Sequence, residues 1–183
     1  MIEVHPVTPD RWEDMVELFE QRGPRGGYRN TPAYGCWCMW WRDRSLEHGE
    51  GKKRGMAELV QKGRRPGLLA YEDGSPVGWI SVAAREEYAQ LVRSPQYRPR
   101  EQEHGIWSIV CFTIDKPARG RGVQEVLLDA AVEFAFQSGA RAVDAYPHRF
   151  KHDDYMGHVE LFEGRGFEPV RETSKRVIVR LRR

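Results

Sequence analysis

The stretch Arg119-Gly120-Arg121-Gly122-Val123-Gln124 constrains this chain more than any other, because an apolar β-like run, Ile106 to Ile114, precedes it and an amphipathic run, Val123 to Phe136, follows it. A strand-to-helix turn built on two glycines lets the backbone approach a ligand closely. The first N–H groups of the following helix have no intrahelical acceptor, and together with the helix dipole they favour an anion. Arg119 and Arg121 add positive charge at the same place. The spacing is too short for the dinucleotide pattern G-x-G-x-x-G, and the Lys-Ser/Thr ending of a P-loop is missing. The unit is therefore strand, phosphate-suited loop, helix.

The remaining segments order themselves around it. Ile2, Val4 and Val7 open the chain as a strand, and Thr8-Pro9-Asp10 starts a helix with Thr8 as its cap, carrying the stripe Trp12, Met15, Val16, Leu18 and Phe19. A Gly/Arg-rich loop and the aromatic stretch Tyr34 to Trp41 follow, then a short helix around Met56, Leu59 and Val60. Leu68 to Tyr71 and Val77 to Val82, joined through Asp73-Gly74, read as a β-hairpin. Tyr88 to Arg100 is irregular or a short helix. After the Gly-rich turn, Val123, Val126, Leu127, Ala130, Ala131 and Phe134 trace one helical face that Gly139 ends. A strand at Ala142 to Tyr146, a helix from Tyr155 to Glu163, and two closing strands at Val170 and Val177 to Leu181 complete the order. Strand-loop-helix-strand implies a central parallel pair, and the hairpins make the outer pairings antiparallel. The expectation is a single α/β (α+β) domain over residues 1–183.

At 183 residues and 40% hydrophobic, the chain can bury a real core. A net charge of +2 gives no general reason to expect nucleic acid, and the basic C-terminal stretch reads as a guarded strand edge. No run approaches the roughly 20 apolar residues of a membrane span, and no apolar leader follows Met1, so a cytoplasmic protein without a membrane partner is expected. Three cysteines, Cys36, Cys38 and Cys111, argue against a disulfide framework. Cys36-x-Cys38 with His48 or Cys111 lacks the usual metal-ligand spacing, so no metal is expected.

Three local features resemble the GNAT acetyltransferase superfamily, over roughly Ile2 to Leu181 and most strongly from Leu68 to Phe167. They are the hairpin ending Pro76-Val77-Gly78-Trp79-Ile80, the strand Phe112-Thr113-Ile114 followed five residues later by Arg119-x-x-Gly122, and Leu161-Phe162-Glu163-Gly164-Arg165-Gly166-Phe167. The resemblance implies a mixed, mostly antiparallel sheet with a central splayed parallel pair and helices on both faces. It implies acetyl-coenzyme A as the acyl donor, with Phe112, Thr113 and Ile114 along the pantetheine arm and Arg119, Gly120, Arg121, Gly122, Val123 and Gln124 at the pyrophosphate. The N–H of Phe112 or Ile114 is expected to meet the pantetheine and thioester. Two positions depart from the pattern besides Gln124, which stands where Gly or Ala is usual. Phe162 occupies the place of the tyrosine general acid, so Tyr155 or His158, earlier on the same expected helix, become the acid candidates. Ser108 occupies the place of the glutamate base, so a water held by Ser108 and deprotonated through Glu103 or His104 becomes the base candidate, His104 sharing the face of Ser108 by the period of two.

Cys36, Trp37, Cys38 and Trp40 either pack on the sheet or line the acceptor pocket, where aromatic faces would favour an apolar or cationic amine. The leading expectation is an acetyl-coenzyme A-dependent N-acetyltransferase acting on a small-molecule amine by direct attack in a ternary complex. A catalytically silent acyl-coenzyme A-binding sensor is the rival, and modification of a protein N-terminus or lysine is a third reading. A homodimer stays open.

Overall fold

Alternating apolar residues and short turn signals produce one mixed sheet. The computed structural model describes residues 1–98, 104–150 and 155–183. The strands are β1 (Ile2–Pro6), β2 (Gly67–Glu72), β3 (Ser75–Ala84), β4 (Ile106–Ile114), β5 (Ala142–Ala145), β6 (Glu168–Glu172) and β7 (Val177–Arg182). They lie in the order β1-β2-β3-β4-β5-β7-β6, and only β4 and β5 pair in parallel. β2 and β3 form the expected hairpin, with Asp73 and Gly74 both at positive φ, as a tight two-residue turn between right-twisted strands requires.

The helices are α1 (Trp12–Glu20), α2 (Thr31–Cys36), α3 (Glu50–Gln61), α4 (Ala89–Arg93), α5 (Val123–Gln137) and α6 (Val159–Glu163). α5 lays Val123, Leu127, Leu128, Ala131 and Ala135 on one sheet face together with Ile80, Ile109, Val143 and Val179. Full burial of each leucine there contributes roughly 1.5–3 kcal/mol. Gly78 is what lets α5 approach. A Cβ on it would stand 2.9 Å from Val123 and 3.0 Å from Leu127, so the glycine of the hairpin sets the distance between the helix N-terminus and the sheet. On the opposite face α1, α2 and α3 bury Met15, Phe19, Trp37, Met56 and Trp79.

Two features of β4 shape the site. Opposite Ser81 and Val82, the register moves from Cys111 to Ile109, so Val110 is an inserted bulge residue. The bulge puts Ile109 and Phe112 on the α5 face while Val110 and Cys111 face the other side. β4 and β5 pair only from Ile106 with Ala142 to Ile109 with Ala145. β5 stops before Tyr146-Pro147, whose proline has no N–H to continue the ladder, and β4 runs on to Ile114 paired with β3 but no longer with β5.

Several sequence expectations are corrected. Thr8 makes no side-chain cap bond, and its hydroxyl instead accepts from Arg11 at 3.4 Å. α2 runs into the start of the aromatic stretch, ending at Cys36, and periodicity does not show a helix of six residues. The last helix begins at Val159 rather than Tyr155, because Gly157 takes a φ of +77° and His158 is extended.

Candidate active site

Where β4 leaves β5, a cleft of about 650 Å³ opens between the end of β4, the loop before α5, the segment entering α2, and Tyr155 and His158. Gly120 and Gly122 sit at φ of +72° and +79°, and Gly122 is the N-cap residue of α5. No atom lies within 4 Å of a Cβ built on either, so conformation rather than crowding demands glycine at both. Gly122 offers no side-chain cap, which leaves the first N–H groups of the 15-residue α5 directed at the cleft. Val123 and Gln124 border the cleft at this helix end. Arg119 also borders it, with its Nε–H donating to the Ile114 carbonyl at 3.2 Å. Arg121 does not border it, since its guanidinium pairs with Glu72 on β2.

The edge of β4 is accounted for bond by bond. The Asp115 N–H donates to Val77 on the β3 side at 2.9 Å, and the Phe112 N–H donates to the Tyr155 carbonyl on the other side at 2.5 Å. Alternation along the strand aims the Ile114 N–H the same way as that of Phe112, into the cleft. The Phe112 N–H is thus already engaged, and Ile114 supplies the edge donor. Phe112, Thr113 and Ile114 all border the cleft.

The proton-moving candidates divide sharply. Tyr155 and His158 both border the cleft, Tyr155 from a turn and His158 from the N-cap of α6. Phe162 is fully buried, its ring centroid 6.3 Å from that of Phe112 and 5.3 Å from that of Phe167, so it is a core residue. Ser108 is also fully buried, in the paired segment, and its hydroxyl shares a 2.9 Å hydrogen bond with the Tyr146 hydroxyl. His104 is exposed and precedes Gly105, whose φ of +75° breaks the alternation before the strand begins. The period-of-two link between His104 and Ser108 is therefore not formed, and Glu103 lies outside the described residues.

The aromatic stretch divides as well. Trp37 and Cys38 are core, not pocket: Trp37 stands 4.8 Å from Phe19 between ring centroids, and Cys38 Sγ accepts from Trp79 Nε1 at 3.1 Å. Cys36 is half-buried, and Trp40 is 40% exposed beneath the Arg44 guanidinium. None of the four borders the cleft. The Cys111 thiol is pushed well above its ordinary pKa by its contact with Cys38 and by burial, and the Cys36 thiol is pushed up by burial and by Cys38. Protonated thiols are poor nucleophiles, which weighs against an acetyl-carrying cysteine. Burial likewise pushes Tyr88 up to about 12.

These shifts predict an alkaline limb. Groups whose folded pKa is raised contribute nothing while both states stay protonated, and the unfolded state gains as pH passes their unfolded values. Stability is expected to be level up to about pH 8.5 and to fall through pH 9–12, first from the thiols and then from Tyr88. Urea midpoints measured across that range check this, and a midpoint that rises with pH would refute it.

Sequence reasoning missed the other wall of the cleft, Arg29, Asn30 and Ala33. Asp115, at the end of β4, holds it in place. Its carboxylate lies 2.9 Å from Arg29 Nε and accepts from Asn30 Nδ2 at 3.4 Å and from the Lys116 N–H at 2.9 Å. An aspartate just beyond the strand was the one available signal, and nothing local joins it to residues 85 positions earlier.

A model of the acetyltransferase (GNAT) family matches residues 11–167, most of the chain, and the protein belongs to that family. Solved structures share its fold at low identity. PaiA N-acetyltransferase from Thermoplasma acidophilum, in complex with coenzyme A, is 13% identical with a TM-score of 0.58, covering 100% of this chain and 99% of its own. The GNAT domain of S. lividans PAT is 17% identical with a TM-score of 0.60, covering 100% of this chain and 90% of its own. A chain of the NatC complex bound to Gag peptide and coenzyme A is 12% identical with a TM-score of 0.60, covering 100% and 98%. No curated protein matches the chain in sequence. No helix among the described residues is long and apolar enough to cross a membrane, and none of their His, Cys, Asp and Glu side chains group to hold a metal ion.

Proposed function

We propose that this protein is an N-acetyltransferase that carries acetyl-coenzyme A in the cleft and transfers the acetyl group to a small-molecule amine by direct attack. The observation that carries the reading is the open strand edge at Ile114 running into two left-handed glycines and an uncapped α5. The cleft residues fit such a ligand: the α5 N–H groups with Arg119 suit a pyrophosphate, and the Ile114 N–H suits the arm. Bound there, acetyl-coenzyme A would supply a thioester whose carbonyl carbon would bond to the amine nitrogen as the C–S bond breaks, the amine's proton passing to the departing thiolate so that free thiol is released. Of the proton-moving candidates, Tyr155 and His158 border the cleft, as do Glu125 and Lys116, while Ser108 is locked in the core. The acceptor reaches the reacting end near the β4–β5 parting.

Addition of acetyl-coenzyme A at about 100 times its Kd should stabilise the protein by roughly 2.7 kcal/mol. Release of free thiol with a panel of small amines should then identify the acceptor class. Stabilisation without thiol release toward any amine or peptide N-terminus would replace the enzyme by the silent acyl-coenzyme A sensor, a reading that the buried Phe162 and Ser108 favour. Thiol release only with peptides would replace the small amine by a protein acceptor.

A further inference from the structure

Beyond the parting of β4 and β5, the segment Tyr155 to His158 fills the gap between them. The Tyr155 carbonyl takes the Phe112 N–H of β4 at 2.5 Å, and His158 forms a parallel bridge with His148, just past the end of β5. His148 bridges in turn to Arg176, just ahead of β7. Bridged residues project their side chains to the same side, on segments about 4.8 Å apart, so His158, His148 and Arg176 form one rung. The rung faces away from α5, because Tyr146 and Ile178, two positions along from His148 and Arg176, pack with Trp41 and Tyr88. All three side chains are half-buried, and His158 borders the cleft. Lys116 and Glu125 border it elsewhere, at the loop and in the first turn of α5, beside the proposed pyrophosphate position. The His148 ring has a defined tautomer. Its Nδ1 lies 3.2 Å from the Phe150 carbonyl oxygen, which only accepts, so Nδ1 carries the hydrogen and Nε2 keeps the lone pair of the neutral ring. Arg176, which donates to the Tyr146 carbonyl at 2.9 Å, flanks the two imidazoles from β7. Tyr155 and Glu160 flank them from the turn and from α6, and the Arg149–Glu172 pair, at 3.2 Å, lies next along the chain.

Near neutral pH an alkylamine arrives as its ammonium ion, whose nitrogen has no lone pair to attack with. The ammonium ion and acetyl-coenzyme A give an amide, a free thiol and one proton, so one proton must leave the cleft for each turnover. We propose that His148 is a positioning residue for that exit: the ammonium gives its proton to His158, His158 passes it to Nε2 of His148, and the half-exposed His148 ring releases it to solvent. His158 is thereby returned to its basic form. The relay rests on the transferase reading above.

His148→Gln keeps a polar side chain that cannot carry a proton. Assayed by thiol release over the panel of small amines, it should lower kcat at pH 7 about 100-fold, the low end for a positioned proton-transfer group, with the KM for acetyl-coenzyme A unchanged. The deficit should shrink as the pH approaches the amine's own pKa. It should be absent for weakly basic counterparts that arrive unprotonated, such as 2,2,2-trifluoroethylamine beside ethylamine, and free imidazole should restore the lost rate. Full activity in the variant, or an equal loss at every pH for ammonium and free amine alike, overturns the relay. Nitrogen-15 NMR of the unaltered protein tests it without turnover and without relying on a variant that folds. The spectra should show His148 carrying its hydrogen on Nδ1 and the two rings titrating as a coupled pair. Independent titrations, or the hydrogen on Nε2, overturn the relay while leaving the transferase reading intact. Absence of thiol release with every amine and peptide would instead remove the transferase reading, and the relay with it, even where the two imidazoles titrate together.

Discussion

Asp144→Asn is expected to lower the melting temperature by roughly 10 °C, the largest stability change of any single substitution considered. Asp144 on β5 is 2% exposed and stands in register with Arg180 on β7. Its carboxylate accepts two guanidinium bonds from Arg180, at 2.6 and 2.9 Å, and lies 3.7 Å from Arg85, itself 3% exposed. Removing one partner of a buried ion pair typically costs about 3–5 kcal/mol, because the opposite charge stays buried without compensation. At about 2–4 °C per kcal/mol for a chain of this size, thermal unfolding reads the loss directly. Replacing Asp144 and Arg180 together by apolar residues of similar volume should recover much of it. A melting temperature within about 1 °C of the parent for Asp144→Asn would show that other groups compensate the two arginines.

Gly122→Val is expected to weaken acetyl-coenzyme A binding about tenfold or more while lowering the melting temperature far less than Asp144→Asn. The φ of +79° costs an L-residue roughly 1–2 kcal/mol and a β-branched one more. Since no neighbour lies within 4 Å of the new Cβ, the loop relieves the strain by rotating its peptide planes rather than by displacing the core. That rotation takes the donors of the loop and of the first turn of α5 off the pyrophosphate, and about 1.4 kcal/mol lost there is a factor of ten. Gly122→Asn, which tolerates the left-handed region better, should fall between the two. Equal Kd values for acetyl-coenzyme A in the parent and both variants would remove the loop from the coenzyme site.

The parts of the fold that local chemistry dictates were legible in the chain. Asp73-Gly74 marks the hairpin because few other pairs accept two positive φ values, and Gly120 and Gly122 mark the strand-to-helix turn for the same reason. The α5 stripe is long enough to show its period. α2, with six residues, is too short to show one, and the start of α6 was misplaced because Gly157 interrupts an otherwise helical composition. Periodicity also extended the face of Ser108 to His104 across Gly105, where no strand exists.

For the candidate site the division runs along sequence separation. The sequence by itself determined the loop, the strand before it and the residues that border the cleft from them, because a turn, a strand edge and a helix start are each made by neighbours in the chain. Tertiary structure alone decided which wall faces them. Asp115 draws Asn30 across 85 positions, the Tyr155 carbonyl takes the Phe112 N–H and leaves Ile114 as the edge donor, and packing buries Phe162, Ser108, Trp37 and Cys38 away from the cleft. Such pairings are fixed by which side chains the folded sheet and helices bring within a bond's length, and that distance is set by packing rather than by spacing along the chain.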